Sequence, residues 1–142
     1  AGAGPQKEAL VEQAVASSNI HFLGFINQSK MPIFYKMCDL FVLPSRSETW
    51  GLCINEALSS GTRCVVTDRV GCGPDIIRSD QLGEIVPWNN LAALSNAIHR
   101  GAYAGKVSHQ ARGSFMEVLW SWTCAGASTR DLLHRDSICQ AV

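Results

Sequence analysis

Four consecutive apolar residues, Leu40, Phe41, Val42 and Leu43, stand between Asp39 and Pro44, and they restrict the fold more than any other stretch. A strand with one wet face alternates apolar and polar side chains. An uninterrupted short run instead fits a strand covered on both faces, as in a parallel sheet packed between helices. Further strands read at "RCVVT" (63–67) and "GEIV" (83–86), and "IHFLGF" (20–25) reads as a further short strand ending at Gly24.

Between these segments the apolar period becomes helical. Leu10, Val11, Ala14 and Val15 form one stripe, and a short helix is predicted to start near Ser29, with Pro32 tolerated in its first turn. A third helix runs from about Gly51 to Ser59 and stops at Gly61, and a fourth from about Asn90 to His99; "VGCGPDII" between them reads as a glycine loop. Strand and helix in alternation predict an α/β fold with a Rossmann-like, doubly wound parallel sheet. Ligands of such sheets bind at the C-terminal ends of the strands, in loops that lead into helices.

The opening "AGAGPQ" is a glycine turn of the kind that follows a strand, and no strand stands before it. The expectation is a fragment of a longer chain, its sheet lacking the first strand–helix unit. The exposed strand edge and apolar faces of such a sheet leave room for a dimer. Beyond residue 105 the pattern weakens: "QARGSFMEVLWSW" and "ASTRDLLHR" read as helices, with Trp120 and Trp122 as packing residues. The predicted division is therefore an α/β unit over 1–105 and a helical segment over 106–142.

Twelve basic and twelve acidic residues cancel, so nothing electrostatic favours nucleic acid or an anionic membrane as the main partner. A small molecule is the better expectation. The six cysteines, at 38, 53, 64, 72, 124 and 139, form no C-x-x-C pair and several lie in apolar runs, which points to a reducing compartment. His21, His99, His109 and His134 are far apart, so no metal site is expected. No apolar run approaches the roughly 20 residues that span a bilayer, and no signal segment is visible, so a cytoplasmic location is expected.

"SETWGLCINEALSSG" (47–61) is one of the strand-to-helix loops. If Gly51 opens the helix, the N–H groups near Gly51 and Leu52 have no intrahelical partner and point out of its positive end, a ready site for phosphate. Glu56, about one and a half turns on, cannot face phosphate directly, but its carboxylate can accept from a vicinal pair of hydroxyls such as those of ribose. Glu48, before the turn, would reach hydroxyls on the other side. These groups together fit a nucleotide-sugar. The alternative left open by spacing alone is that Glu48 complements the helix dipole while Glu56 is a solvated helix residue.

"FVLPSRSETWGLCINEALSSG" resembles the signature of retaining glycosyltransferases with the GT-B fold, the large family that includes sucrose- and lipopolysaccharide-type transferases. The match falls at Pro44, Ser45, Glu48, Gly51, Leu52, Glu56, Ala57 and Gly61, and flanking segments extend it over about residues 2–100. The resemblance implies the incomplete C-terminal half of such an enzyme, inactive on its own. Glu48 would be the catalytic-site residue, facing the donor sugar with the main chain of Thr49 and Trp50. Gly51 and Leu52 would hold the diphosphate, Glu56 the ribose, and Gly24 and Phe25 the base. It further implies no cofactor and no metal, with the nucleoside-diphosphate sugar as donor. A sugar or lipid-linked acceptor would be bound through a missing N-terminal domain, and a role in polysaccharide biosynthesis and peripheral association of the full-length enzyme with a membrane are both compatible with it. The usual Arg/Lys pair that neutralises the diphosphate would lie before Ala1. "GTRCVVT" lacks a proline often found after its glycine, and "SDQLGEIV" matches loosely. A GT-B-fold epimerase, a phosphorylase and a non-catalytic scaffold with an empty cleft are the competing readings. A dinucleotide fingerprint at "GAGPQK" is disfavoured, because Lys7 stands where the third glycine belongs.

Overall fold

The structure, a computed structural model, describes Gly2 and residues 4–113. Three parallel strands, β1 (Leu40–Leu43), β2 (Arg63–Thr67) and β3 (Gly83–Val86), lie in the order β1-β2-β3. Leu40 is opposite Arg63, and Cys64 opposite Gly83. Among the described residues these helices accompany them: α1 (Lys7–Ala14), α2 (Met31–Met37), α3 (Leu52–Ser59), α4 (Gly73–Ile76) and α5 (Leu91–Tyr103).

The continuous apolar runs follow from burial on both faces. Cys64 and Val66 of β2, with Phe41 and Leu43 of β1, point into a core built with Tyr35 of α2 and Ile54, Ala57 and Leu58 of α3. Val65 and Val86, with Leu40 and Val42, point the other way, onto Ala97 of α5. Successive strand residues face opposite sides, so a sheet sandwiched this way favours apolar residues at consecutive positions. Burying a side chain such as Leu58 contributes about 1.5–3 kcal/mol. Thr62, also fully buried, is satisfied because its hydroxyl donates to the carbonyl of Tyr35 at 2.5 Å.

The structure departs from the sequence expectation in five places. Residues 20–25 are not a strand: no strand runs alongside them among the described residues, and Ile20, Phe22, Leu23 and Phe25 are exposed. High β propensity without a ladder partner leaves extended chain only. The stripe on α1 has likewise no buried residue. The helix expected near Ser29 begins as a 3-10 turn, Gln28–Lys30, in which the Asn27 side chain accepts from the Ser29 N–H, and becomes α-helical at Met31. The glycine loop contains α4, started by Pro74. Finally, α5 runs past His99 to Tyr103 through Gly101, whose missing side chain admits the Leu40 methyls; a Cβ there would lie 2.8 Å from Leu40 Cδ1.

Past residue 105, Val107 is buried in the core and its N–H donates to the Gly61 carbonyl at 3.0 Å, while Ala111 packs nearby. The helices expected from the later sequence, with Trp120, Trp122, Cys124, His134 and Cys139, lie outside the described residues, apart from a helical turn over 109–113.

Candidate functional site

At the C-terminal end of β1 the chain leaves the sheet through Pro44 and Ser45. The Ser45 carbonyl accepts from the Thr67 hydroxyl at the end of β2, at 2.6 Å. The chain then runs beside the segment that follows β2. Glu48 N–H donates to Arg69 O at 3.1 Å, Gly71 N–H to Glu48 O at 2.9 Å and Cys72 N–H to Trp50 O at 3.0 Å. This short parallel bridge, Glu48 against Val70, fixes where α3 begins.

Gly51 is the residue that starts α3. It is buried and left-handed, with φ 98°, and a Cβ on it would meet Val70 Cγ1 at 3.0 Å and Ile54 Cδ1 at 3.1 Å. The backbone angle strains any L side chain, and the space admits one only if Val70 and Ile54 shift. No side chain caps this helix, and its first-turn Ile54 N–H folds back onto Gly51 O at 2.9 Å. The N–H groups of Gly51 and Leu52 donate to no acceptor among the described residues. Leu52 is exposed, so this end of the helix is open to solvent. A helix end with open amides and a positive dipole is chemically an anion site.

Both carboxylates stand at this end. Glu48 Oε1 accepts from the Trp50 N–H at 3.4 Å, which turns the side chain back over its own loop. Glu56 Oε2 accepts from the Tyr35 hydroxyl at 3.0 Å. Cys53 lies between them: burial pushes its thiol above the ordinary range, the Glu48 and Glu56 charges push the same way, and the N–H groups of Cys53 and Ile54 oppose them. The structure therefore brings Glu48, Thr49, Trp50, Gly51, Leu52 and Glu56 together on the first two turns of α3 and the loop before it. Burial, then the hydrogen bond to Glu56 and its charge, hold the Tyr35 hydroxyl protonated well above its usual range.

Gly24 and Phe25 are placed differently. Gly24, with φ 65°, is on the wall of a 560 Å³ cleft that also takes in Gly4, Lys7, Leu10 and His21, and none of residues 48–56 lines that cleft. The Phe25 side chain is 82% exposed and is not part of the lining. A second cleft, of 320 Å³, opens where all three strands end, between Pro44, Thr67, Val86 and the start of α5. Among the described residues no three His, Cys, Asp or Glu side chains are grouped as a metal would require, and no helix is long and apolar enough to cross a membrane.

Sequence reasoning missed two partners of the site. One is Tyr35, whose only signal is a hydroxyl on a largely apolar helix, a group that needs a partner when buried. The other is Gly71, which stood in the glycine loop without an assigned role.

A parallel α/β sheet with an open, glycine-started helix at its C-terminal edge and acidic side chains before and after that start defines a Rossmann-like unit of the GT-B glycosyltransferase type. The family model described as glycosyl transferases group 1 matches residues 1–102, and the chain belongs to this family. It is 43% identical over 83 residues to the sulfoquinovosyl transferase SQD2 of Arabidopsis thaliana, a match covering 58% of this chain and 16% of that one. It is 30% identical over 125 residues to D-inositol 3-phosphate glycosyltransferase 2 of Catenulispora acidiphila, covering 82% of this chain and 27% of the relative. The chain thus spans about a quarter or less of these relatives' length. Among solved structures, sucrose-phosphate synthase from Thermosynechococcus elongatus superposes with a TM-score of 0.72 at 23% identity, over 99% of this chain and 38% of that one.

The placement of Cys53 gives a test of the site that needs no ligand. The thiolate is the reactive form. A raised pKa therefore lowers the reactive fraction at any pH below it, and alkylation accelerates only as the pH climbs through the raised value. Glu48→Gln removes one of the opposing charges and is expected to speed iodoacetamide labelling of Cys53 severalfold at pH 8, with the exposed Cys38 as internal reference. Peptide mass spectrometry across a pH series measures it; an unchanged rate means that Glu48 does not face Cys53.

Proposed function

We propose that this chain is the donor-binding part of a retaining, metal-independent glycosyltransferase, which transfers a sugar from a nucleoside-diphosphate sugar to a glycan, lipid or glycolipid acceptor. One observation carries the reading: the start of α3 presents the N–H groups of Gly51 and Leu52 without acceptors among the described residues, flanked by the Glu48 and Glu56 carboxylates. The diphosphate occupies the helix end and Glu56 accepts from the ribose hydroxyls. Glu48, with the main chain of Thr49 and Trp50, faces the donor sugar. Gly24 and Phe25 belong to the base side through the backbone of the segment they lie in.

The chemistry follows from charge. Breaking the sugar–phosphate bond leaves negative charge on the departing diphosphate, and preorganised amides at a helix end stabilise that charge more than the ground state. Retention, independence of metal and a cytoplasmic setting, with at most peripheral contact to a membrane, are supported by the family resemblance. The named relatives act on different partners, sulfoquinovosyl transfer in one and inositol 3-phosphate in another, so no one acceptor is favoured.

Calorimetric titration of the folded chain with ADP, GDP and UDP tests the reading. At least one is expected to bind with a dissociation constant between about 10 μM and 1 mM. A chain that shows native circular dichroism and takes up none of the three contradicts the proposal.

A further inference from the structure

Among the described residues, Tyr35 is the one side chain outside the α3 segment with a hydrogen bond to a carboxylate of the site. It is 3% exposed and fixed at three places. Its ring stands edge-on to Phe41 of β1, with centroids 5.4 Å apart at 84°. Its carbonyl accepts from the Thr62 hydroxyl at 2.5 Å, at the start of β2. Its own hydroxyl donates to Glu56 Oε2 at 3.0 Å. The ring cannot turn without disturbing the packing of α2 on the sheet, so the donor has a set position and direction.

Glu56 has no such rigidity of its own. It is a partly exposed glutamate on a helix, and immobilising a side chain of this length costs rotamer entropy. A ligand that had to order it would lose that much affinity. Tyr35 orders it in advance and uses a single acceptor position, leaving Oε1 and the second lone pair of Oε2 for other donors. A carboxylate gripped on one oxygen in a partly exposed side chain keeps acceptor positions free, a supply that suits two adjacent hydroxyls.

We infer that Tyr35 is a positioning residue for ribose recognition, its hydroxyl orienting Glu56 so that the free edge of the carboxylate meets a vicinal diol. This rests on the donor-site reading above and adds to it the device that makes the site selective for ribose. Protonation of Tyr35 does not vary over the working pH range, because burial and Glu56 both keep the phenol neutral.

The test compares ADP, GDP and UDP with their 2′-deoxy forms, and with inorganic pyrophosphate, on the wild-type chain and on Tyr35→Phe. The wild type is expected to prefer the ribose form. Tyr35→Phe is expected to lose about tenfold in affinity for the ribose form, little for the deoxy form and nothing for pyrophosphate, so that the preference collapses. A general structural defect would weaken all three alike. A folded Tyr35→Phe that keeps the wild-type preference overturns the inference.

Should the variant not fold, the wild type supplies a second readout. The chain has two tyrosines, Tyr35 and Tyr103, and Tyr103 is 83% exposed, so ring-labelled tyrosine gives two readily assigned NMR signals. The Tyr35 signal is expected to move on binding the ribose diphosphate and to stay with the deoxy form; no difference between the two overturns the inference. If none of the diphosphates binds the wild type, the donor-site reading fails and the inference falls with it.

Discussion

Gly71→Ala is expected to unseat the loop before α3 and to abolish nucleotide binding. A Cβ built on Gly71 lies 2.0 Å from the Thr49 carbonyl oxygen and 3.0 Å from its carbon, and both are backbone atoms. No rotamer change relieves such a clash. The 69–72 segment must move away from 48–50, and with it go the bonds from Gly71 N–H to Glu48 O and from Cys72 N–H to Trp50 O. The cost is about 3–5 kcal/mol, the range of the severe backbone and packing substitutions. Because those two bonds set where α3 starts, the amides of Gly51 and Leu52 lose their position even if the rest of the sheet survives. Gly4→Ala is the control: its Cβ has nothing within 4 Å, and stability is expected within about 0.5 kcal/mol of wild type. Urea unfolding and nucleotide titration of both variants check the pair, and a Gly71→Ala chain that binds as the wild type does shows that the bridge is not needed.

The sheet was legible because its strands carry their burial in their composition. Leu40–Leu43 is apolar throughout, and Arg63–Thr67 and Gly83–Val86 carry the apolar stretches Cys64–Val66 and Ile85–Val86; each strand pairs in parallel with both faces covered. α3 was legible from its punctuation, Gly51 before and Gly61 after. "IHFLGF" has the same composition and became no strand, since a strand is a pairing and composition says nothing of the partner. α5 overran its expected end because Gly101, a helix stop by local rule, is the point where the helix must touch Leu40. Tertiary contact overrides local propensity there.

The site was legible to the extent that it is local. Glu48, Gly51, Leu52 and Glu56 lie within nine consecutive residues, so helix geometry alone brought them to one end. What holds them came from elsewhere in the chain. Tyr35 is 21 residues from Glu56, and Gly71 is 23 from Glu48, and neither pairing follows from spacing. The assignment of Gly24 and Phe25 to the base came by resemblance, and they line or flank a cleft formed with the α1 segment instead of the α3 end.

Glu56→Ala separates binding from support. The carboxylate has two tasks, accepting from Tyr35 within the protein and, on the proposed function, accepting from the donor's ribose. Truncation leaves the Tyr35 hydroxyl without an acceptor in a buried place, which costs about 1–3 kcal/mol of stability. Glu56→Gln avoids most of this, because the amide oxygen can still accept from Tyr35 while its NH2 group turns outward. The outward edge then carries donors and no charge where two hydroxyls need an anionic acceptor. Charge-assisted hydrogen bonds contribute about 1.5–3 kcal/mol, so affinity for the nucleoside diphosphate is expected to fall about 10- to 100-fold. Melting of Glu56→Gln should stay near wild type, and pyrophosphate should bind both chains equally, since that ligand uses only the amides of Gly51 and Leu52. Equal nucleotide affinity in wild type and Glu56→Gln, with the chain folded, means that the carboxylate serves the fold alone and that a scaffold is the correct reading of this helix end.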